Sequence, residues 1–408
     1  MLEKGKNMIK RIYLDHSATT YILDEVYEAM LPYLKKSFGN PSSFHWLGRE
    51  ARKSVENSRE KIAEVISAKP NEIYFTSGGT EADNTAIKGV AFANQSKGNQ
   101  IITSKIEHHA VIHTCQYLEK KGFNLIYLPV DKYGTVNLDA LKSAITDKTI
   151  LISIMHANNE IGTIQPIEEI GRIAKESGIY FHTDAVQSFG KIPIDINKMN
   201  IDLLSMSAHK IYGPKGIGAL FIRKGVKIEP LLHGGHHEMN KRAGTENVPG
   251  IIGFGKAGEI TKKDIENNIY KKTGELRDYL QNGITEKINN VYVNGHPEKR
   301  LPIILNVCFE FIEGESIMLK LDGKGMAVSS GSACTSGALE PSHVLLAMGI
   351  EPALAQGSVR FSLGKENTKQ EMDEVLSVLP GIIESLREMS PFSSEIPFPE
   401  GAGPRKRH

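Results

Sequence analysis

Leu204-Ser205-Met206-Ser207-Ala208-His209-Lys210-Ile211-Tyr212-Gly213-Pro214-Lys215-Gly216 is the stretch on which the reading of this chain turns. An apolar run, Ile201 to Leu204, leads into Ser207, His209 and Lys210; a Gly-Pro turn follows, and a second apolar run starts at Ile217. The pattern predicts a strand that ends in a polar knuckle, a tight loop and another strand. A lysine at such a point is set among apolar neighbours. Burial lowers its pKa and makes the neutral amine a nucleophile, as a Schiff base with a carbonyl cofactor requires. The competing reading of this stretch alone is a surface lysine at a strand end.

Working outward, strands alternate with helices. Ile73–Thr76, Ile101–Ser104, Leu125–Val130, Ile150–Met155, Tyr180–Thr183, Ile201–Ser205 and Ala219–Ile222 read as strands. Glu81–Ala93, Ala110–Lys121, Leu138–Ile145 and Ile167–Ser177 read as helices between them. This alternation predicts an α/β fold with a mostly parallel sheet covered on both faces. After about Lys263 the texture changes: a charged helical run reaches Asn290, Ile303–Phe311 alternates like an antiparallel strand, and Lys369–Met389 is an amphipathic helix. The expected domains are residues 1–20 as a segment joining the small domain, 21–263 as the large domain, 264–389 as a smaller α+β domain, and 390–408 as a disordered Pro- and Ser-rich tail.

Composition narrows the class. The chain has 408 residues, 40% hydrophobic and 24% charged, with a formal net charge of +1, so neither nucleic acid nor an anionic membrane is indicated as a partner. No apolar run approaches the roughly 18 residues that span a bilayer. Three cysteines are too few for a disulfide framework, which points to a reducing cytoplasm.

In an open parallel sheet, ligands sit beyond the carboxyl ends of the strands. After the first strand comes Gly78-Gly79-Thr80, opening a helix whose N-terminus favours an anion. Glu107-His108-His109 follows the next; His108 could lie against an aromatic ligand or cap a helix. His109 and His113 have metal-pair spacing without an evident third ligand, and His233, His236 and His237 are equally weak as a metal set. Asn158-Asn159 can donate to a carboxylate or phenolic oxygen, or simply shape a turn. Asp184 is either a helix N-cap or the partner of a cation such as a protonated pyridine nitrogen, with Gln187 placed for a second ring substituent. A phosphate cradle, a stacking ring, a pyridinium partner and an amine, in this order, are what pyridoxal phosphate requires. Cys115 and Cys308 read as buried thiols. Cys334, among small polar residues in Ser329 to Gly337, reads as a mobile-loop thiol suited to carrying a group between sites.

These segments resemble the cysteine desulfurases of the NifS/IscS type, group I, which are class V, fold-type I pyridoxal-phosphate enzymes. The resemblance covers about Ile12 to Met389. It is carried by Leu14-Asp-His-Ser-Ala-Thr-Thr20, Thr76-Ser-Gly-Gly-Thr-Glu81, His156-Ala-Asn-Asn-Glu-Ile-Gly162, His182-Thr-Asp-Ala-Val-Gln187, Ser207-Ala-His-Lys-Ile-Tyr-Gly-Pro-Lys-Gly216 and Ser329-Ser-Gly-Ser-Ala-Cys-Thr-Ser336. It implies the following roles. Lys210 forms the Schiff base with pyridoxal 5'-phosphate and moves the α-proton. Asp184 pairs with the ring nitrogen, Gln187 touches the phenolic oxygen, and His108 stacks on the ring as a candidate proton donor. Gly79, Thr80, Ser207 and His209 hold the phosphate, with Thr245 reaching in from a second subunit. Asn159 touches cofactor and substrate, and Arg360 binds the substrate carboxylate. Cys334 takes the sulfur of L-cysteine as a persulfide, leaving alanine. No resident metal is implied, although Cys334 is suited to ligate an iron–sulfur cluster in transit. The resemblance also implies a cytoplasmic homodimer that hands sulfur to an iron–sulfur scaffold or a sulfur-carrier protein for tRNA thiolation. Selenocysteine lyase, aminotransferase and kynureninase-like hydrolase are the competing activities; a sulfur carrier without activity is the competing non-enzyme.

Overall fold

The computed structural model describes residues 11–330 and 341–391. Cys334, the segment before Arg11 and the tail after Pro391 lie outside the described residues. The chain divides into two compact units. One comprises Thr19–Asn159 and Thr163–Ile269; the other comprises the described parts of Met1–Ala18, Glu160–Gly162 and Tyr270–His408.

The larger unit is built on seven strands: β1 (Ile73–Thr76), β2 (Gln100–Ser104), β3 (Asn124–Leu128), β4 (Thr149–Ser153), β5 (Tyr180–Asp184), β6 (Leu203–Ser207) and β7 (Gly218–Ile222). Their order in the sheet is β1-β7-β6-β5-β4-β2-β3. Pairings among β2 to β6 are parallel, whereas β7 runs antiparallel to both β6 and β1. The strands are apolar at successive positions because both faces are covered. Neighbouring residues accordingly enter different cores: Ile102, Ile152, Leu204 and Phe221 join one cluster, and Ile101, Leu151, Leu203 and Leu220 the other. Each such side chain contributes about 1.5–3 kcal/mol on burial.

Two departures from the sequence reading matter for the site. The strand expected at Ile201–Ser205 lies two residues later, because Ile201 closes a turn instead: its N–H donates to the Ile196 carbonyl, and Asn200 before it has φ 50°. The sheet therefore ends at Ser207, and Ala208–Lys210 form a 3-10 turn beyond it. The second departure is a helix over Val248–Glu266, which begins well before the helical texture expected from Lys263. Its glycines disguise it, since glycine is a poor helix former. They are there for close packing: a Cβ on Gly255 would lie 2.5 Å from Ser58 Cβ on the facing helix Trp46–Val65.

In the smaller unit, Val291–Asn294, Ile304–Phe309 and Ser358–Ser362 form an antiparallel sheet with Ile304–Phe309 in the middle. The edge strand Val291–Asn294 was not anticipated, being short and half-exposed. Ile12–Tyr13 pairs in parallel with Met326–Ala327. The helix Lys369–Met389 starts at the expected residue, where Thr368 and Glu371 make a reciprocal capping box. Leu14, Leu305, Val307, Phe361 and Leu379 are fully buried in this unit's core.

Candidate cofactor and active site

The site of the larger unit is assembled at the carboxyl ends of β1, β2, β5 and β6. At the end of β6, Ser207 is buried, and the 3-10 turn carries His209 and Lys210, both half-buried. Tyr212, next but one, holds φ 63°, a left-handed conformation costly for a bulky residue. Thr20 holds it there: its Oγ1 donates to the His209 carbonyl at 3.0 Å and accepts from the Tyr212 N–H at 2.8 Å, while its own N–H also donates to His209 O at 2.9 Å. His209 Nδ1 lies 3.1 Å from Thr19 Oγ1. Thr19 and Thr20 are thus the positioning residues that sequence reasoning did not assign a role. Their signal was present, since they end the Leu14–Thr20 motif, but no pattern linked them to a turn 190 residues away.

At the end of β1, Gly78 adopts φ 154° and Gly79 opens the helix Gly79–Asn94 (α1). A Cβ on Gly79 would lie 2.7 Å from Val186 Cγ2 and 3.8 Å from Ser207 Cβ, so only glycine brings this backbone so near the β5 and β6 ends. Glu81 caps the turn, accepting from the Ser77 N–H at 2.8 Å, and is itself held by Arg242 at 2.9 Å. Thr80 is exposed at the first turn of α1. It lines a cavity of about 420 Å³ together with His108, His109 and His113. His108 Nδ1 accepts the Ala110 N–H at 3.1 Å and so caps the helix His109–Glu119 (α2). The ring thus caps a helix and lines the cavity at once. The His109 and His113 rings lie 5.0 Å apart, tilted by 31°. Among the described residues no cluster of three or more metal-ligating side chains is present.

Asp184 ends β5, 7% exposed. Burial pushes its carboxyl up to about 6, while the Val186 N–H, donating at 2.9 Å, and the charge of Lys210 pull it back down. Gln187 is buried, and its main-chain carbonyl accepts from Lys191 Nζ at 2.9 Å. Burial and the charges of Lys210, Lys215 and Lys191 lower His209 to about 4, so its ring is neutral. Of the two turn amides, Asn158 is internal: it donates to the Ile106 carbonyl at 2.9 Å, leaving Asn159 as the half-buried one. Thr245 is exposed and lines a second cavity with Ser77, Gly216 and Arg242.

The fold thus brings together a buried carboxylate, a lysine that acts on it electrostatically, and a helix N-terminus beside Ser207 that begins at a glycine whose Cβ would crowd Val186. A group with a basic ring nitrogen, an aldehyde and a phosphate matches this set. An aminotransferase class-V family model matches residues 12–375. The chain belongs to the class-V aminotransferase family. A cysteine desulfurase IscS from Methanosarcina thermophila is 59% identical over 384 residues, 94% of this chain and 95% of that protein. Among solved structures, a NifS-like protein matches with TM-score 0.87 and 42% identity over 92% of this chain and all of that one. SspA in complex with cysteine matches with TM-score 0.78 and 38% identity over 88% of this chain and all of that one. The cofactor of this class-V chain is pyridoxal 5'-phosphate.

In the smaller unit, Arg360 sits on Ser358–Ser362, 3% exposed, with Nη2 2.9 Å from Asp15 Oδ1. Its backbone pairs with Ser329 in both directions. Glu160, also in this unit, accepts a short 2.5 Å hydrogen bond from Ser342, and burial pushes its carboxyl up to about 7. Cys115 and Cys308 are free and buried, and burial pushes both thiols up, away from the reactive thiolate.

Proposed function

We infer that this protein is a cysteine desulfurase that uses pyridoxal phosphate to convert L-cysteine to L-alanine and keeps the sulfur as an enzyme persulfide. One observation carries the reading: a desulfurase relative at 59% identity spans 94% of the chain. When bound, the cofactor supplies an electron sink that labilises the bonds around the substrate α-carbon.

The remaining chemistry belongs to the chain. Lys210 Nζ provides the covalent anchor and then moves the substrate α-proton. Asp184 balances the ring-nitrogen charge, Gln187 donates to the phenolic oxygen, and His108 covers the ring and delivers a proton. The Gly79 and Thr80 end of α1, Ser207 and His209 hold the phosphate. The neutral state of His209 supports hydrogen bonding there over a fixed charge. Arg360 takes the substrate carboxylate, a group it is already suited to by its bond to Asp15, and Asn159 assists.

Cys334, outside the described residues, remains the sulfur acceptor in this proposal. Its thiolate sulfur bonds to the substrate sulfur, the substrate carbon–sulfur bond breaks, and that electron pair stays on carbon, which takes a proton. The products are alanine and a persulfide. The burial of Cys115 and Cys308 supports assigning the role to the third cysteine. We further propose a homodimer in which exposed Thr245 of each copy completes the other's phosphate site, a cytoplasmic location, and an iron–sulfur scaffold or sulfur-carrier protein as recipient. Among the described residues no helix is long and apolar enough to cross a membrane.

The test is alanine and sulfide release from L-cysteine with a thiol reductant, paired with mass spectrometry of the trapped persulfide. The expected result is one-to-one release, with persulfide on Cys334 and none in Cys334→Ala. Amino-group exchange with an oxo acid, without sulfide, would replace this reading by an aminotransferase.

A further inference from the structure

Beneath Asp184 lies a second row of polar groups to which the proposed reaction assigns no task. Side chains two apart on a strand share a face, so His182 and Asp184 of β5 point the same way. His182 Nδ1 is 2.8 Å from Ser153 Oγ on β4, and Nε2 is 3.0 Å from Ser205 Oγ on β6. Asp83, from α1, brings Oδ1 to 3.6 Å from His182 Nε2. The register places Ser153 beside His182 and Ser205 beside Asp184. Glu107 closes the set: it accepts from Ser104 Oγ at 2.5 Å and from the Met155 N–H at 3.1 and 3.0 Å. Asp83 is 1% exposed, and His182, Ser153, Ser205 and Glu107 are wholly buried.

Three carboxyls are therefore buried within electrostatic reach of one another, since Asp184 and Glu107 both act on Asp83. The nearest ring gives no counter-charge: burial lowers His182 to about 3. The three are not equally equipped to carry charge. Asp184 has a backbone donor and the charge of Lys210. Glu107 has a hydroxyl and a backbone donor, and burial pushes it up to about 8. Asp83 has only the Ser205 hydroxyl to set against burial and the charges of Asp184 and Glu107, no backbone donor, and among the described residues its Oδ1 has no hydrogen-bond partner. Like charges this close do not ionise together.

We propose that Asp83 stands as an uncharged carboxylic acid beside the His182–Ser205 pair, and that its neutrality leaves Asp184 as the ionised carboxylate opposite the cofactor's ring nitrogen. Asp83 is a positioning residue. Were it ionised, its charge would raise the proton affinity of Asp184 and draw the ring-nitrogen proton onto Asp184. This rests on the reading of Asp184 as the ring-nitrogen partner.

The experiment begins with the wild-type protein labelled with carboxyl-13C aspartate, by infrared difference spectroscopy at pH 8, loaded with pyridoxal phosphate and after its removal. The expected result is a carboxylic-acid carbonyl band in both states, which Asp83→Asn abolishes. The pH midpoint of the bound cofactor's absorption band is then expected to be the same in Asp83→Asn as in wild type. Asp83→Leu, which removes the polar atoms, is expected to weaken cofactor binding about tenfold, with Asn restoring it. Absence of the acid band, or a midpoint shift of about one unit in Asp83→Asn as loss of a neighbouring charge would give, overturns the proposal. The band in the cofactor-free protein does not depend on what Asp184 binds. If it is present while Asp184→Asn binds cofactor as well as wild type, the Asp184 reading fails and the protonation of Asp83 stands.

Discussion

Asp184 and Arg360 are both charged groups buried on a strand, one in each unit, and the fold treats them differently. Arg360 is 3% exposed but has its counter-charge inside its own unit, Asp15 at 2.9 Å. Asp184 is 7% exposed, with two other buried acids beside it and a carboxyl pushed up to about 6. The first charge is balanced by the chain itself. The second is balanced only in part, by Lys210 and one backbone N–H, and a cationic ring nitrogen would complete it. A buried strand charge that the chain leaves under-compensated needs a ligand's charge to complete it; one that the chain compensates, like Arg360, stands whether or not ligand is bound.

The contrast can be broken in several ways. The largest effect is expected at the lysine that serves the under-compensated site: Lys210→Ala should lower sulfide release by at least about 10³-fold, measured with saturating cofactor. Next, Arg360→Met should destabilise the protein by about 3 kcal/mol in denaturant unfolding, because it leaves Asp15 without its cation. Cofactor addition should not restore this loss.

Asp184→Asn should do the opposite in cofactor-free protein. Burial raises the folded-state pKa from 3.8 to about 6, so the folded chain binds this proton more tightly than the unfolded chain. Ionised Asp184 therefore costs stability above about pH 6, and that cost fades as pH falls from 6 towards 4. The variant should be more stable than wild type at pH 8 by on the order of 1–3 kcal/mol, with the gap closing through that window. Saturating pyridoxal phosphate should reverse the order at pH 8. A variant less stable than wild type at pH 8 without cofactor would erase the distinction between the two regions. The smallest effect is expected at Cys115→Ala, which removes a buried thiol far from reactive pKa. It should cost about 1 kcal/mol of stability and leave sulfide release within about twofold.

Much of the larger unit was legible because its strands are buried on both faces and separated by helices, so apolar runs and Gly-Gly or Asn-Asn turns stood out. The helix Val248–Glu266 did not, because glycines chosen for contact with Ser58 and Ile62 look like helix breakers in isolation. Asp184, Gln187 and Lys210 could be picked out because chemistry demands those residue types at strand ends. Thr20 could not: its hydrogen bonds to His209 and Tyr212 join positions 189 and 192 residues apart. Asp83 likewise looked like one more polar residue on the helix after Gly79.

By itself, the order of residues determined which groups exist and which strand or turn each sits on, because local propensity and hydrophobic period act over a few positions. Only the folded chain decided which charges are compensated. Whether Asp184 is ionised depends on Lys210, Asp83 and Glu107, and whether Arg360 is satisfied depends on Asp15, 345 residues away. Coulombic and desolvation energies depend on distance through space and on exclusion of water, and neither quantity is written along the chain.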